Sequence, residues 1–423
     1  MSSVLYILVL VLVFAQIFLP KNWGFFPIII AALHTGNVEI LPELTPVRII
    51  IIFGLVRIIF TGKFPYNSKN KLDLLFLLFS VLALISAFFH SQSEYNPYYA
   101  RAGLVLNVFG TYLYARSYIT DIETFTNLGK AVVLALIPLA FLMLFEHFTQ
   151  RNLYSAISAA NDFSVVRDGR VRAQGPFRHS ILAGTAGASS LPIIAALYFT
   201  NRSFVYFGIA CATAITFASS SSGPLMTFAF STLSILFWTK RRLVMRYYKH
   251  FFVFLVLLHI VSSRGIWYLM ARIDLVGGST GYHRARLIDS ALAHIDRWWL
   301  AGTDYTRDWM PFAAPWSENH VDITNYYISM AVTGGLPLLI TFFSIIYISI
   351  KRIGANMLFF QASTLNYEYI FWCCGCCLLA HSVTFVSVTY FDQMFALFYV
   401  LIGAVSSLTE MGTNMKIRST QKQ

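Results

Sequence analysis

Long apolar runs, separated by short polar segments, recur from one end of the chain to the other. A helix of roughly 20 apolar residues is long enough to cross a ~30 Å hydrocarbon layer. The pattern therefore predicts twelve membrane-spanning helices, at residues 4–20, 47–60, 72–90, 101–118, 128–148, 180–199, 203–219, 223–239, 250–268, 323–350, 369–388 and 391–409. A further apolar segment, residues 24–35, is short and is interrupted by Pro27 and His34. We interpret it as a partial insertion within the external turn of the first hairpin.

These runs leave no room for a separate soluble domain. We expect an all-α polytopic membrane protein in which residues 1–410 form one integral membrane domain and residues 411–423 form a basic cytoplasmic tail. Of the 423 residues, 57% are hydrophobic and 12% are charged, whereas soluble domains carry about 25% charged residues. The first run lacks the basic start and cleavage site of a removed signal peptide, so we expect it to be retained as a span.

The five cysteines do not change this interpretation. Four of them form the sequence "CCGCC" within an apolar run, which lacks the hydrophilic setting and partner ligands of a zinc site. We expect them to pack in the interior, and we expect no metal site.

Basic residues set the expected orientation, because Lys and Arg are enriched in cytoplasmic loops. The segment "TKRRLVMRYYKH" carries five basic residues and no acidic one, and Lys351, Arg352 and the basic tail fall on the same side. Counting spans from these anchors places two long polar loops, residues 149–179 and 269–322, together on the external side.

The first of these loops is unexpectedly basic for an exported segment. Its arginines are Arg151, Arg167, Arg170, Arg172 and Arg178, against two acidic residues, Asp162 and Asp168. One interpretation is that the arginines reach lipid headgroups or pair with the second loop, which has seven acidic residues and five arginines. The other is that they bind an anionic substrate, because guanidinium groups match phosphate oxygens in bidentate geometry. A polyprenyl diphosphate is the anion expected at this surface.

The second loop contains a predicted amphipathic helix, "GYHRARLIDSALAHIDRWWLAG". Its apolar residues recur at helical spacing, while Arg284, Asp289, His294 and Arg297 fall elsewhere. We expect this helix to lie along the membrane interface, with Trp298 and Trp299 either in the headgroup belt or stacked on a sugar. The aromatic and charged residues that follow suit either carbohydrate binding or an ordered loop.

Four segments in chain order resemble the O-antigen ligase and polymerase superfamily. They are the external "RAQGPFRHS" that opens a span, the break "ASSSSGPL" between two spans, the loop helix "GYHRARLIDSALAHI" followed by "LAG", and "TNYYISMAVTGGLPLL" that opens the next span. The likeness covers roughly residues 165–345. It implies a polytopic glycosyltransferase that uses an undecaprenyl-diphosphate-linked glycan as its donor on the periplasmic side.

The same resemblance implies roles for individual residues. Arg172 matches the arginine before Gly-x-Phe, Arg284 the arginine of the loop helix, and Asn325 the asparagine that precedes the span. Two positions depart from the family. Ser222 stands where the family commonly has Arg in a Ser-Arg-Gly motif, and Thr324 stands in the place of the ligases' His in His-Asn.

The chemistry of glycan transfer requires stabilisation of a departing diphosphate and a base or an oriented hydroxyl on the opposite side of the anomeric carbon. Arginines can supply the first, so neither a metal ion nor a cofactor is expected. The candidate site residues are Arg172, Arg178, Arg284 and Arg286 for the diphosphate, Asp322 and His320 for catalysis, and Asn325, Trp298 and Trp299 for substrate binding. Second-rank candidates are Glu146, His147, Asp392 and Gln393.

The hypothesis is a polysaccharide polymerase that joins undecaprenyl-diphosphate-linked oligosaccharide repeat units, of an O-antigen or exopolysaccharide, on the periplasmic face of the bacterial inner membrane. One alternative is an O-antigen ligase that transfers the glycan to lipid A core, and another is a lipid-linked oligosaccharide flippase. Beside this glycan and membrane lipid, candidate partners are a chain-length regulator and other envelope polysaccharide assembly proteins. No nucleic acid is expected as a partner.

The orientation can be tested with tags. Tags at Lys249 and Ser363 should be cytoplasmic and tags at Ala160 and Ala313 external, because the basic clusters fix the first pair. Accessibility of each tag to a membrane-impermeant reagent, before and after permeabilisation, measures this. Labelling at Ala313 from the cytoplasmic side would contradict the placement of both long loops.

Overall fold

The computed structural model describes residues 3–36, 38–40, 43–62, 66, 70–91, 95–158, 160–262, 265–272, 281–311, 317–362 and 366–420. The prediction of an all-α protein is confirmed in these ranges, where the chain is helical apart from turns, loops and one small β-hairpin. The helices are α1 (Ser3–Phe18), α2 (Phe26–His34), α3 (Pro46–Phe60), α4 (Lys71–Ser86), α5 (Pro97–Val105), α6 (Thr111–Tyr118), α7 (Ile122–Thr149), α8 (Ser180–Ala195), α9 (Arg202–Ala218), α10 (Ser222–Leu236), α11 (Arg241–Val261), α12 (Gly281–Ala293), α13 (Ile295–Trp298), α14 (Tyr326–Phe359), α15 (Tyr367–Thr384) and α16 (Phe395–Thr420). A π-helical turn, Leu106–Gly110, joins α5 to α6, and the hairpin consists of β1 (Val165–Arg167) and β2 (Arg170–Arg172).

Several helices could cross a membrane. Within the described residues, four segments are long and apolar enough by themselves: Lys71–Phe89, Ile122–Thr149, Tyr326–Phe359 and Asp392–Thr413. A fifth results if Ser222–His250 and Val253–Val261, which are bent by 43°, form one span. Three further apolar helices, α1, α8 and α9, are shorter. Twelve crossings therefore remain a prediction, and the tag positions Ala313 and Ser363 lie outside the described residues.

Contacts between helix ends sort into two groups, which define two faces. On the first, here called the loop face, the Tyr326 N–H donates to Phe385 O over 2.8 Å and the Ala173 N–H donates to Ala218 O over 3.0 Å. On the second, here called the basic face, Arg241 pairs with Glu368 at 2.6 Å. The described parts of the two long polar loops lie together on the loop face.

Helix α2 corrects the interpretation of residues 24–35. At its start, Tyr114 Oη donates to Gly24 O over 2.6 Å, and the end of α1 lies beside the end of α3, where Arg57 Nη2 donates to Leu19 O over 2.7 Å. At its other end, His34 Nδ1 lies 2.7 Å from Tyr154 Oη in the first long loop. The first turn therefore lies on the side of the basic face, and α2 runs from there toward the loop face. His34 can be buried in this apolar segment because both of its ring nitrogens have partners. Besides the contact of Nδ1 with Tyr154, Nε2 lies 3.0 Å from Ala135 O.

The second loop is anchored to a break in α14. Gly334 and Gly335 have non-helical dihedral angles inside this helix, which frees backbone groups for partners outside it. The Thr303 N–H donates to Val332 O over 3.0 Å and the Leu336 N–H donates to Trp299 O over 2.7 Å. The contact is close enough that a Cβ on Gly335 would lie 2.5 Å from the Leu300 carbonyl. The loop and the first half of α14 thus form one packed unit.

The amphipathic character of α12 differs from the predicted one. Leu287 and Ala291 are buried, together with Trp298, in a small core against the start of α14. Arg284 lies on this same buried face and is only 9% exposed, because residues three and seven positions apart share one side of a helix. Leu292, one of the apolar residues at helical spacing in this predicted helix, is exposed.

A buried ion pair joins helices on the basic face. Arg116 Nη1 lies 2.6 Å from Asp73 Oδ1, and Asp73 is fully buried. The same Nη1 donates to Ser406 Oγ over 2.8 Å, and Arg116 Nη2 pairs with Glu410. The network connects α4, α6 and α16.

Asp73→Asn should destabilise the protein by about 3–5 kcal/mol, because it removes the one of the two counter-charges of the buried Arg116 that is itself fully buried. The thermal midpoint of the detergent-purified protein measures this. As a control, Asp308→Asn breaks an exposed ion pair with Arg297 and should leave the midpoint unchanged. Equal midpoints for Asp73→Asn and the unmodified protein would show that the ion pair does not hold these helices together.

Candidate functional site

Glu146 organises the first loop. Its carboxylate is fully buried at the end of α7 and accepts hydrogen bonds from the Gln174 N–H, the Gly175 N–H and the Ser164 hydroxyl, at 3.0, 2.8 and 2.8 Å. The loop closes further through Asn152 Nδ2, which donates to Gly175 O over 2.8 Å. Glu146 was a second-rank candidate from sequence, and its observed contacts are those of a residue that positions the loop.

The β-hairpin presents the arginines of this loop. Arg167 pairs with Arg170 across a two-residue turn, and both turn residues, Asp168 and Gly169, have positive φ. Asp-Gly is a favoured sequence for such a turn. The hairpin was not predicted, although "VVRDGRVR" carries this signal. It ends at Arg172.

Arg172 is half-buried and faces the break between α9 and α10. Its Nη2 donates to Ser221 Oγ over 2.7 Å, and Ser221 Oγ donates in turn to Ser219 O over 2.9 Å. Its buried Nε has no hydrogen-bond partner among the described residues. Ser222, where the family commonly has arginine, is the first residue of α10. Contact with Arg172 is therefore made by the neighbouring Ser221.

Arg284 comes from the second loop and lies near these first-loop charges. Burial lowers the pKa of Arg284 from its usual value, attraction to Asp322 opposes this, and the positive charges of Arg172 and Arg167 lower it further. Like Arg172, it has a buried Nε without a hydrogen-bond partner among the described residues. An arginine remains charged at neutral pH, so these side chains carry positive charge close together.

His179 is a fourth member of this group and was absent from the predicted site. Although its side chain is exposed, the surrounding protein removes enough water to lower the pKa of His179 to about 4, and Arg172, Arg284 and Arg167 contribute in the same direction. Its Nδ1 accepts a hydrogen bond from the Ile181 N–H over 3.2 Å and caps α8. The neutral ring therefore carries its proton on Nε2. We call Arg167, Arg172, His179 and Arg284 the arginine cluster.

Asp322 lies at the edge of the arginine cluster. Although Asp322 is exposed, the surrounding protein removes enough water to raise the pKa of Asp322, while the nearby His283 and Arg284 lower it. Asp322 lies four residues before the first residue of α14, and a carboxylate near a helix start can act as its cap. The structure assigns the cap to Asn325 instead, whose Oδ1 accepts from the Ile328 N–H over 3.1 Å.

Three predicted residues have structural roles. Asn325 Nδ2 also donates to Val386 O over 3.0 Å, so its amide ties α14 to the end of α15, and a direct substrate contact stays a prediction. Trp298 is 4% exposed and its Nε1 donates to Ala291 O over 2.7 Å, which favours packing over sugar stacking. His320 Nδ1 lies 3.3 Å from Thr306 Oγ1 within the second loop, and its catalytic role stays a prediction.

The remaining predicted residues are exposed. Arg286 lies two positions from Arg284, hence on the opposite side of α12, and the structure separates it from the arginine cluster. Trp299 is exposed, and a ring contact with sugar stays a prediction. The Arg178 side chain is also exposed, while its backbone N–H donates to Asp392 Oδ2 over 3.0 Å.

A cavity of about 320 Å³ lies beside Asp392, between the starts of α3 and α14 and the α5–α6 segment. It is lined in part by Arg48, Arg101, Tyr326 and Tyr390. Asp392 is 8% exposed and has a positive φ of 65°, which a non-glycine residue rarely adopts outside functional or tightly determined positions.

Neither the protein-family models nor the curated proteins compared with this chain give a match. Among the described residues, no group of three or more His, Cys, Asp or Glu side chains could hold a metal ion. The geometry itself offers a group of positive charges, a neutral imidazole and a carboxylate drawn from two separate loops. Such an arrangement can bind an anion and accept a proton next to it.

Proposed function

We propose that the protein is a membrane glycosyltransferase of the O-antigen ligase and polymerase superfamily that uses a polyprenyl-diphosphate-linked glycan and no metal ion. One observation carries the proposal: Arg172 and Arg284, from two different loops, lie close together with buried Nε atoms that have no partner among the described residues. Burying like charges is costly unless an anion joins them. A diphosphate offers enough oxygens to bind both guanidinium forks.

The proposed setting is the bacterial inner membrane, with the loop face in the periplasm and the basic face in the cytoplasm. The twelve predicted segments are the proposed crossings, and α2 adds a short thirteenth passage that places the N-terminus outside. The arrangement is supported by the contacts that group helix ends alternately and by the basic residues near the starts of α11 and α4.

The proposed reaction moves a glycan from one lipid carrier to another. The hydroxyl oxygen of the acceptor sugar forms a bond with the anomeric carbon of the donor, while its proton passes to the Asp322 carboxylate. The bond between the anomeric carbon and the diphosphate oxygen breaks, and its electron pair leaves with the polyprenyl diphosphate. Arg172, Arg284 and the Nε2–H of His179 stabilise the charge that develops on this leaving group.

Polymerisation is proposed over ligation because Thr324 stands where the ligases have histidine. A threonine hydroxyl is too weakly basic to accept a proton near neutral pH. We therefore propose that the acceptor is the sugar end of a second lipid-linked repeat unit, and that the product is a longer lipid-linked polysaccharide. Ligation to lipid A core and flipping without bond formation are the alternatives. A chain-length regulator and other assembly proteins are the proposed partners.

Replacing Arg172 or Arg284 by lysine should lower polymer formation about 100-fold or more, because an ammonium group keeps the charge but cannot form the paired hydrogen bonds. Polymer is measured on gels from cells in which the variant replaces the native protein, at matched protein levels. Arg297→Lys, at an exposed arginine of the same loop that pairs with Asp308, is the matched control. Unchanged polymer in both variants would favour lipid-headgroup contact as the role of these arginines.

Asp322→Asn should reduce transfer about 100-fold or more, because the amide cannot accept the proton. The thermal midpoint should be unchanged, since Asn325 provides the helix cap. The base must be deprotonated, so activity should fall as the pH falls through the pKa of Asp322, which the loss of water raises above the usual value. Asp308→Asn is the control.

Near-normal activity of the purified Asp322→Asn protein with lipid-linked repeats would reject Asp322 as the base. Transfer of glycan to lipid A core by the unmodified protein would replace polymerisation by ligation. Accumulation of repeat units on the cytoplasmic side, in cells without the protein, would favour the flippase.

A further inference from the structure

The cavity beside Asp392 differs in charge from the arginine cluster. Its two arginines already have partners. Arg48 Nε donates to Asn107 Oδ1 over 2.9 Å and its Nη1 pairs with Glu43 at 3.3 Å. Arg101 is 7% exposed, its Nε donates to Ser86 Oγ over 3.2 Å, and the negative charge of Asp304 acts on it. The cavity therefore lacks the unpaired positive charge that would favour a phosphate.

Asp392 is also held by the protein. Its Oδ2 accepts a hydrogen bond from the Arg178 N–H. The Gln393 side-chain amide, with its nitrogen facing Asp392, donates to the same oxygen over 2.8 Å. Because the charged groups that line the cavity already have partners in the protein, a neutral ligand fits the cavity better than an ion.

The rest of the lining suits a ligand rich in hydroxyl groups. Tyr326 and Tyr390 supply aromatic walls. Ser329 and Thr333, separated by one turn of α14, line the same cavity, and their hydroxyl groups make no hydrogen bond to a described residue. Apolar surface combined with a few directed polar groups is typical of small-molecule sites, and about 320 Å³ is near the lower end of their usual size. A single sugar ring has this combination of apolar faces and hydroxyl groups.

The cavity also adjoins the proposed site. Tyr326 begins α14, four residues after Asp322. The opposite wall contains Asp392, which binds the backbone of Arg178, the residue before His179. Along the chain, Asp322 therefore lies between the second loop and the residues at the start of α14 that line the cavity, and its carboxylate lies near Arg284 of the arginine cluster.

We propose that this cavity binds the acceptor sugar, and that the acceptor is an uncharged pyranose. This inference rests on the proposed glycosyl transfer, because it assigns the second substrate of that reaction. The arginine cluster holds the donor diphosphate, and the cavity holds the ring whose hydroxyl attacks. Ser329, Thr333 and Asp392 orient the ring, with Asp322 near its reacting hydroxyl.

Saturation-transfer NMR on the detergent-purified full chain tests the proposal. The probes are the uncharged methyl glycosides of glucose, galactose, mannose and N-acetylglucosamine, with methyl glucuronide as the charged comparison. At least one uncharged glycoside should receive saturation from the protein, and methyl glucuronide should receive less. Inorganic pyrophosphate should not abolish the signal, because it binds at the arginine cluster.

Ser329→Phe should abolish the signal, because the ring fills the cavity. Ile340→Phe places the same ring at an exposed position of the same helix and should keep the signal. If Ser329→Phe lowers the thermal midpoint, Ser329→Ala serves as the second variant and should weaken binding without filling space. A signal from none of the uncharged probes, a signal that neither Ser329 variant reduces, stronger binding of the glucuronide, or competition by pyrophosphate would overturn the proposal.

The inference and the proposed function fail in different ways. If the sugar signal depends on Ser329 but the Arg172 and Arg284 lysine variants polymerise normally, the cavity remains a sugar site and the proposed transfer is wrong. If the lysine variants lose polymer but no probe binds in the cavity, the transfer stands and the acceptor lies elsewhere.

Discussion

The buried carboxylate of Glu146 is the point on which the loop face depends. A carboxylate at an apolar helix end must be satisfied by donors, and those donors are backbone and hydroxyl groups of residues that follow Glu146 by up to 29 positions. By drawing these groups together, Glu146 fixes the path of the loop immediately after the hairpin. The direction in which Arg172 leaves β2, and the position of His179 at the start of α8, follow from that path.

Buried charges are treated in two ways in this chain. On the basic face, Arg116 has two carboxylates and a serine within reach, so its burial is compensated. On the loop face, Arg172 and Arg284 retain buried Nε atoms with no partner among the described residues. Proteins tolerate uncompensated polar groups chiefly where function uses them. Among the described residues, the basic face has one such arginine atom, Nη1 of Arg352, whereas the loop face has two, which come from different loops and belong to one cluster.

The sequence predicts the features that follow from local patterns, but not those that depend on contacts between residues far apart in the chain. Apolar runs indicated the helices, and counting spans from the basic segments placed the two long polar loops, of which the first is rich in arginine, on one side. The passage of α2 could not be predicted, because it depends on the contact of His34 with Tyr154, 120 residues away. Periodicity also placed Arg284 with the solvent-facing residues of α12, since it cannot distinguish an exposed charge from a buried one. The cavity is lined by segments from four parts of the chain, so no short sequence motif indicates it.

The joint between residues 299–303 and the break in α14 has a consequence for synthesis. Thr303 of the second loop donates to Val332 of α14, and Leu336 of α14 donates to Trp299 of the loop. Because the loop precedes α14 in the chain, it leaves the ribosome before the helix on which it packs has been synthesised. The start of α14 is completed later still, when Phe385 and Val386 provide acceptors for Tyr326 and Asn325. The loop helix bearing Arg284 therefore reaches its final position only after the end of α15 has been synthesised. A nascent chain cannot present the complete arginine cluster until its assembly in the membrane is nearly finished.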